Sequence, residues 1–164
     1  MITPIFALIL AGAIDFGGVL YTKFKLDSAV SAAADYAVVN ASSVSSTNGA
    51  SLASTLATIV STSQGSGWAD TTVVVNNGPT TSIVNGASSS SGTASNADSC
   101  YCPTVSGSTV TWGSAVTCSS TCSSNGLAGK FVRITASRTY SPVFSNYGIV
   151  KSQSVTATAM AQVQ

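Results

Sequence analysis

The first 22 residues carry one ionisable side chain, Asp15, in a run that is otherwise apolar or small: MITPIFALILAGAI precedes it and FGGVLYT follows. A bilayer core of about 30 Å needs roughly 20 apolar residues at about 1.5 Å each, so the run is long enough to span one if the carboxylate is accommodated. It lacks the marks of a secretory signal peptide, because no basic segment precedes it and no turn or cleavage site ends it. After Lys23 the run becomes amphipathic. Phe24, Leu26, Ala29, Val30, Ala33, Tyr36 and Ala37 recur at three- and four-residue steps, with Lys25, Asp27, Ser28, Ser31 and Asp35 between them. The spacing predicts one continuous helix over 3–39, about 55 Å long, stopped by Asn40 and the Ser/Thr cluster behind it. A chain of 164 residues cannot bury such a helix along its whole length. Its N-terminal half is expected to project into lipid or into other copies of the molecule.

The charges narrow what the rest can do. Six basic and five acidic residues make 7% of the chain, against about 25% in ordinary soluble domains, and there is no histidine and no glutamate. Thirty serines and twenty threonines take the place of the missing charge. A net charge of +1 offers no field for nucleic acid, which is therefore not expected as a partner. Catalysis by histidine or a glutamate base, and metal binding by histidine, are excluded by composition. The lysines and the five aspartates form no local motif, so no catalytic residue, no cofactor and no metal site is expected, and the chain does not read as an enzyme. Near neutrality also removes the repulsion that keeps small domains apart, which favours association.

Residues 41–164 read as a β-rich head following the 1–40 helix. Residues 50–64 place Leu52, Leu56, Ile59 and Val60 at helical spacing, a second and shorter helix. Stretches 71–75, 80–84, 104–111, 130–140 and 152–163 are rich in Val, Thr and Ile and read as strands. The last alternates cleanly, with Val155, Ala157, Ala159, Ala161 and Val163 on one face. Asn76-Asn77-Gly78-Pro79 and Asn85-Gly86 are turn sequences, and the low-complexity stretch 87–99 is expected to be an exposed loop. The expected fold class is α+β: a long protruding N-terminal helix, then a disulfide-bonded antiparallel sheet with one short extra helix.

Four cysteines, Cys100, Cys102, Cys118 and Cys122, form the sharpest local constellation. An even count in a chain that looks exported favours disulfides. Paired positions of an antiparallel hairpin share a constant sum, and Cys102 with Cys118 gives 220 while Cys100 with Cys122 gives 222. Nested bridges therefore suit one hairpin turning near 109–112, with a bulge absorbing the difference; the crossed pairing is the competitor. A tetrathiolate zinc site is the functional rival, but Cys-x-Cys with Cys-x3-Cys departs from structural zinc spacing on both sides.

Asp15 is costly in an apolar helix unless it is paired. In a packed bundle it is expected to meet Lys23, Lys25 or the terminal amine of another copy, which would fix axial register; a hydrated place near the membrane interface is the alternative. Gly12, Gly17 and Gly18 mark close helix packing or a local unwinding point. Trp68, Trp112, Tyr101, Tyr140 and Tyr147 are too scattered to form a stacking platform and are assigned to core and subunit contacts. Lys130, Arg133, Arg138 and Lys151 lie on or beside the last two strands, matching a neighbour's carboxylates or facing solvent. Asn40-Ala-Ser42 is a glycosylation sequon.

The order of these segments resembles a known family. Phe6-Ala-Leu-Ile-Leu10, Ala13-Ile-Asp-Phe-Gly17 and Lys23-Phe-Lys-Leu-Asp-Ser-Ala-Val-Ser-Ala-Ala-Ala34 are similar to the TadE-like pilus proteins, pilin-related subunits of bacterial tight-adherence type IV pilus systems. The Cys-Tyr-Cys-Pro and Cys-x3-Cys pair, Phe131-Val-Arg-Ile-Thr-Ala-Ser-Arg-Thr-Tyr-Ser-Pro142 and the closing Val155-Thr-Ala-Thr-Ala-Met-Ala-Gln-Val-Gln164 are similar too. The resemblance implies a type IV pilin-like fold and a precursor whose short leader is removed by a prepilin peptidase. It also implies a helix held in the inner membrane before assembly. Aligned on Phe6, Ile5 stands where typical pilins carry a glutamate, and Met1 becomes the mature N-terminus. The implied function is a structural subunit polymerising into an extracellular filament for surface attachment. The implied partners are other copies of itself, the inner membrane and the pilus assembly machinery. A low-copy minor pilin or membrane-anchored assembly component is the alternative. Phe6, Leu10, Asp15, Phe16, Leu20, Lys23, Phe24, Leu26 and Val30 are the corresponding candidate subunit-packing residues.

Overall fold

The computed structural model describes residues 3–144 and 153–164. Its first element is a single helix, α1 (Thr3–Val39), 37 residues long. Pro4 stands in its first turn, where a missing N–H breaks no helical bond, and no later proline interrupts it. Asn40 stops it as the sequence predicts: its backbone N–H and its side-chain amide both donate to the Tyr36 carbonyl, at 3.0 and 2.9 Å. The helix runs unbroken through Gly12, Gly17 and Gly18, so none of these glycines unwinds it.

A short turn, Ala41–Ser43, leads into α2 (Gly49–Ser61), which buries Leu52, Ala53, Leu56, Ala57 and Val60 along one face. Both helices lie on the same side of a five-stranded antiparallel sheet ordered β3-β2-β1-β6-β7, with α1 over β6 and β7 and α2 over β1 and β2. The strands are β1 (Asp70–Val75), β2 (Thr80–Val84), β3 (Ala87–Ser91), β6 (Phe131–Tyr140) and β7 (Gln153–Gln162). Alternation decides the inward face. Val73, Val75, Ile83, Val132, Ile134, Ala136, Val155 and Ala157 meet Leu26, Val30, Ala33 and Ala37 of α1 and Leu56 and Val60 of α2 in one core. The C-terminal half of α1 is thus part of the head.

Two expectations are corrected here. Residues 87–91, assigned to a loop, form β3, the edge strand. Asn85 and Gly86 adopt left-handed backbones, φ 51° and 80°, the two-residue turn that folds a chain straight back on itself, and it sets Val84 against Ala87 and Thr80 against Ser91. Every residue of β3 is exposed, so no apolar alternation betrays it. Gly92 (φ +90°) ends it, packed so close to the Gly78 carbonyl that any side chain would collide. Residues 104–111, assigned to one strand, are a hairpin of β4 (Thr104–Ser106) and β5 (Thr109–Thr111).

That hairpin also overturns the favoured cysteine pairing. The disulfides are Cys100–Cys118 and Cys102–Cys122, with Cα atoms 5.1 and 5.6 Å apart; the crossed arrangement holds, not the nested one. Gly107, at φ +59°, places the turn earlier than expected, so Val105 rather than a later residue faces Val110. The cysteines then fall outside the ladder. Cys100 lies opposite Val116, Tyr101 opposite Gly129 and Thr121 opposite Leu127, so the chain wraps around the 100–102 segment instead of pairing with it across one hairpin. Cys100, Cys122 and Ala128 make a small core of their own.

Candidate functional site

The candidate site is the stem formed by the N-terminal part of α1, and its two faces differ. One face is buried at Ala11 and Asp15 and again, at three- and four-residue steps, at Leu26, Ala29, Val30, Ala33 and Ala37, with Gly18, Val19 and Thr22 half-buried between them. The other is apolar and bare. Ile5, Phe6, Leu8, Ile9, Leu10, Ile14, Phe16, Leu20, Tyr21 and Phe24 are all exposed, Phe16 by 61% and Phe24 by 69%. Past Phe24 the bare face turns polar, with Ser28, Ser31 and Asp35 exposed. The helix is long and apolar enough to cross a membrane, with a mean hydropathy of 1.9 over its best window. A helix apolar on all sides is stable only in lipid or among other protein surfaces.

Charge enters the stem at two levels. Lys23 donates to Asp27 at 2.6 Å and to the Thr156 carbonyl of β7 at 2.8 Å, while Lys25 lies over the Tyr21 ring at 5.4 Å. Deeper, Asp15 is completely buried and accepts hydrogen bonds from the backbone N–H groups of Val143 and Phe144, at 2.7 and 3.1 Å. The carboxylate thus binds its own head. Just above it the Tyr140 ring lies against Gly18, leaving no room for a side chain there.

Residues 1–35 match the family model described as TadE-like protein. Over that stretch the stem is similar to the TadE-like proteins. The match ends within α1 and reaches neither α2 nor the sheet, and no curated protein and no solved structure matches the chain.

Of the candidate subunit-packing residues, Phe6, Leu10, Phe16, Leu20 and Phe24 are exposed. Leu26 and Val30 are not, because both are buried in the protein's own core. Asp15 and Lys23 are likewise engaged within the chain rather than offered to a neighbour. Met1, Tyr147 and Lys151 lie outside the described residues. The remaining cations are turned inward as well. Lys130 donates to the Val44 carbonyl at 3.0 Å, Arg133 to the Ser108 carbonyl, and Arg138 to the Trp68 carbonyl while stacking on that indole at 5.1 Å. Tyr101 and Trp112 pack edge to face at 6.1 Å within the disulfide lobe.

Two residues that matter escaped the sequence reading. Val143 and Phe144 contribute backbone amides, which leave no side-chain signature. Grooves of about 330 and 220 Å³ flank Met160 under the lobe, lined by Phe131 and Leu127 in one and Val105, Val110 and Arg133 in the other. Arg133 is the only ionisable side chain in either, which leaves no acid and base to cooperate there.

Proposed function

We propose that the chain is a structural subunit, not an enzyme, that polymerises through α1 into an extracellular type IV-like pilus filament serving surface attachment. The similarity of residues 1–35 to the TadE-like proteins supports a place in a Tad pilus system. One observation carries the finer reading: the bare apolar face from Ile5 to Phe24, which the head leaves uncovered. Before assembly that face is held in the inner membrane, and the prepilin peptidase and assembly machinery act on it there. After assembly it is buried against the stems of other copies. The neutral Ser/Thr surface of the head lets identical heads pack side by side without like-charge repulsion.

Electron microscopy of filaments sheared from cells, with identification of their main protein, tests this. Filaments built chiefly of this chain support it. Filaments built of another pilin, with this chain at low copy, would show the minor or priming subunit instead.

A further inference from the structure

The head grips the stem at a depth that the stem's polarity does not lead one to expect. The bare face is apolar up to Phe24, and the first charges above Asp15 are Lys23, held by Asp27, and Lys25, stacked on Tyr21. An aromatic ring and cations at the end of an apolar helix settle at the membrane surface, so that surface lies near residues 21–25. Asp15 stands six positions before Tyr21, about 9 Å deeper at about 1.5 Å per residue. The head still touches the stem there, through Tyr140 on Gly18 and the amides of Val143 and Phe144 on the Asp15 carboxylate.

Building on the membrane-anchored reading, we propose that residues 140–144 are a lipid-contacting foot: they enter the head-side leaflet beside the stem, with Val143 against acyl chains. The chemistry of the segment fits that occupant. Pro142-Val143-Phe144 carries no charge, and Val143 is 71% exposed although its N–H is bound. Irregular backbone is tolerated at membrane depth where the protein itself satisfies its polar groups, and Asp15 satisfies two amides at once. The same bonds answer the cost of a carboxylate in an apolar span, since its hydrogen-bond donors go in with it. Seating the foot in water instead would lift Phe16, Leu20, Tyr21 and Phe24 out of lipid with their apolar surfaces uncovered, against the hydrophobic effect.

The oxidised full chain has all four native cysteines in disulfides, so a single introduced cysteine takes an environment-sensitive fluorophore at one site. Val143→Cys, Phe6→Cys and, as a head reference, Ser89→Cys would be labelled and reconstituted at low density in phosphatidylcholine–phosphatidylglycerol vesicles. Each is then quenched by acyl-chain nitroxides and by aqueous iodide. Nitroxide quenching at both Phe6→Cys and Val143→Cys, with iodide quenching several-fold weaker than at Ser89→Cys, supports the foot. A Phe6→Cys label in lipid with a Val143→Cys label as open to iodide as the reference overturns the foot and leaves the anchor standing. A Phe6→Cys label in water overturns the anchor, and the foot with it.

Discussion

Among single residues, Asn76 bears the most on the head. It is fully buried with a left-handed backbone, φ 52°. Its side-chain amide donates to the carbonyls of Ala97 and Ser99, at 3.1 and 2.5 Å, and its oxygen accepts from the Phe131 N–H at 3.2 Å. One side chain thereby ties the β1–β2 turn to the Ala94–Asp98 turn and to the start of β6. Asn76→Ala strands these buried groups and forces alanine into a left-handed backbone, a loss of about 2–4 kcal/mol in urea unfolding of the head. Asp98 fastens the other side of that turn by accepting from the Ser46 N–H at 2.8 Å. Hydrogen bonds from the Ser46 side chain and backbone hold its carboxyl below the ordinary carboxylate value, with the Lys130 charge adding to them. A carboxyl depressed on folding contributes stability at pH above its unfolded value of about 3.9, and that contribution is lost as pH falls through the lower folded value. Asp98→Asn therefore removes stability at neutral pH and makes the acid limb of a stability–pH curve shallower. Wild type and variant converge at the acid end.

Among elements, α1 serves two surfaces at once, and substitutions separate them. Leu26→Ala opens a cavity in the head's own core and costs about 2–5 kcal/mol in unfolding of the dispersed protein. Phe24→Ala, two residues earlier on the bare face, changes that stability by no more than about 0.5 kcal/mol and instead lowers filament yield. The disulfide lobe is a separate unit, since its small core does not join the main one. Reduction should raise amide hydrogen exchange in 100–129 and leave the protection of β1, β6 and the two helices in place.

The elements also show what a sequence can reveal. Both ends of α1 were legible because capping and periodicity are local, and β7 because its alternation reports a half-buried strand directly. The edge strand β3 was not, since five exposed residues have no buried side to mark them. The cysteine pairing failed because it depends on where one glycine turns the hairpin. The partner of Asp15 was hidden because the donors are backbone amides at Val143 and Phe144, more than a hundred residues away in the chain. The fold class was therefore readable, whereas the division of the stem into a head-packing face and a bare face was not. The pattern of Leu26 and Val30 fits either role until the sheet is placed.

On the scale of the whole molecule, the scarcity of charge and the two-faced stem belong together. Of the eight charged side chains from Asp15 to Arg138 that lie outside the Lys23–Asp27 pair, seven are hydrogen-bonded or stacked within the chain and Asp35 is exposed, so charge gives the described residues little to offer a partner. The longest run of uncovered apolar side chains lies on α1, from Ile5 to Phe24. The central claim is that copies of the chain cover that area for each other in the assembled state. A photo-reactive phenylalanine analogue placed at Phe16 tests it most directly, with the same group at Leu26 as the internal reference. Irradiated surface filaments should yield a ladder of covalent oligomers of this chain from Phe16 and only intramolecular products from Leu26. Monomer alone from Phe16, or an equal ladder from Leu26, would contradict the account.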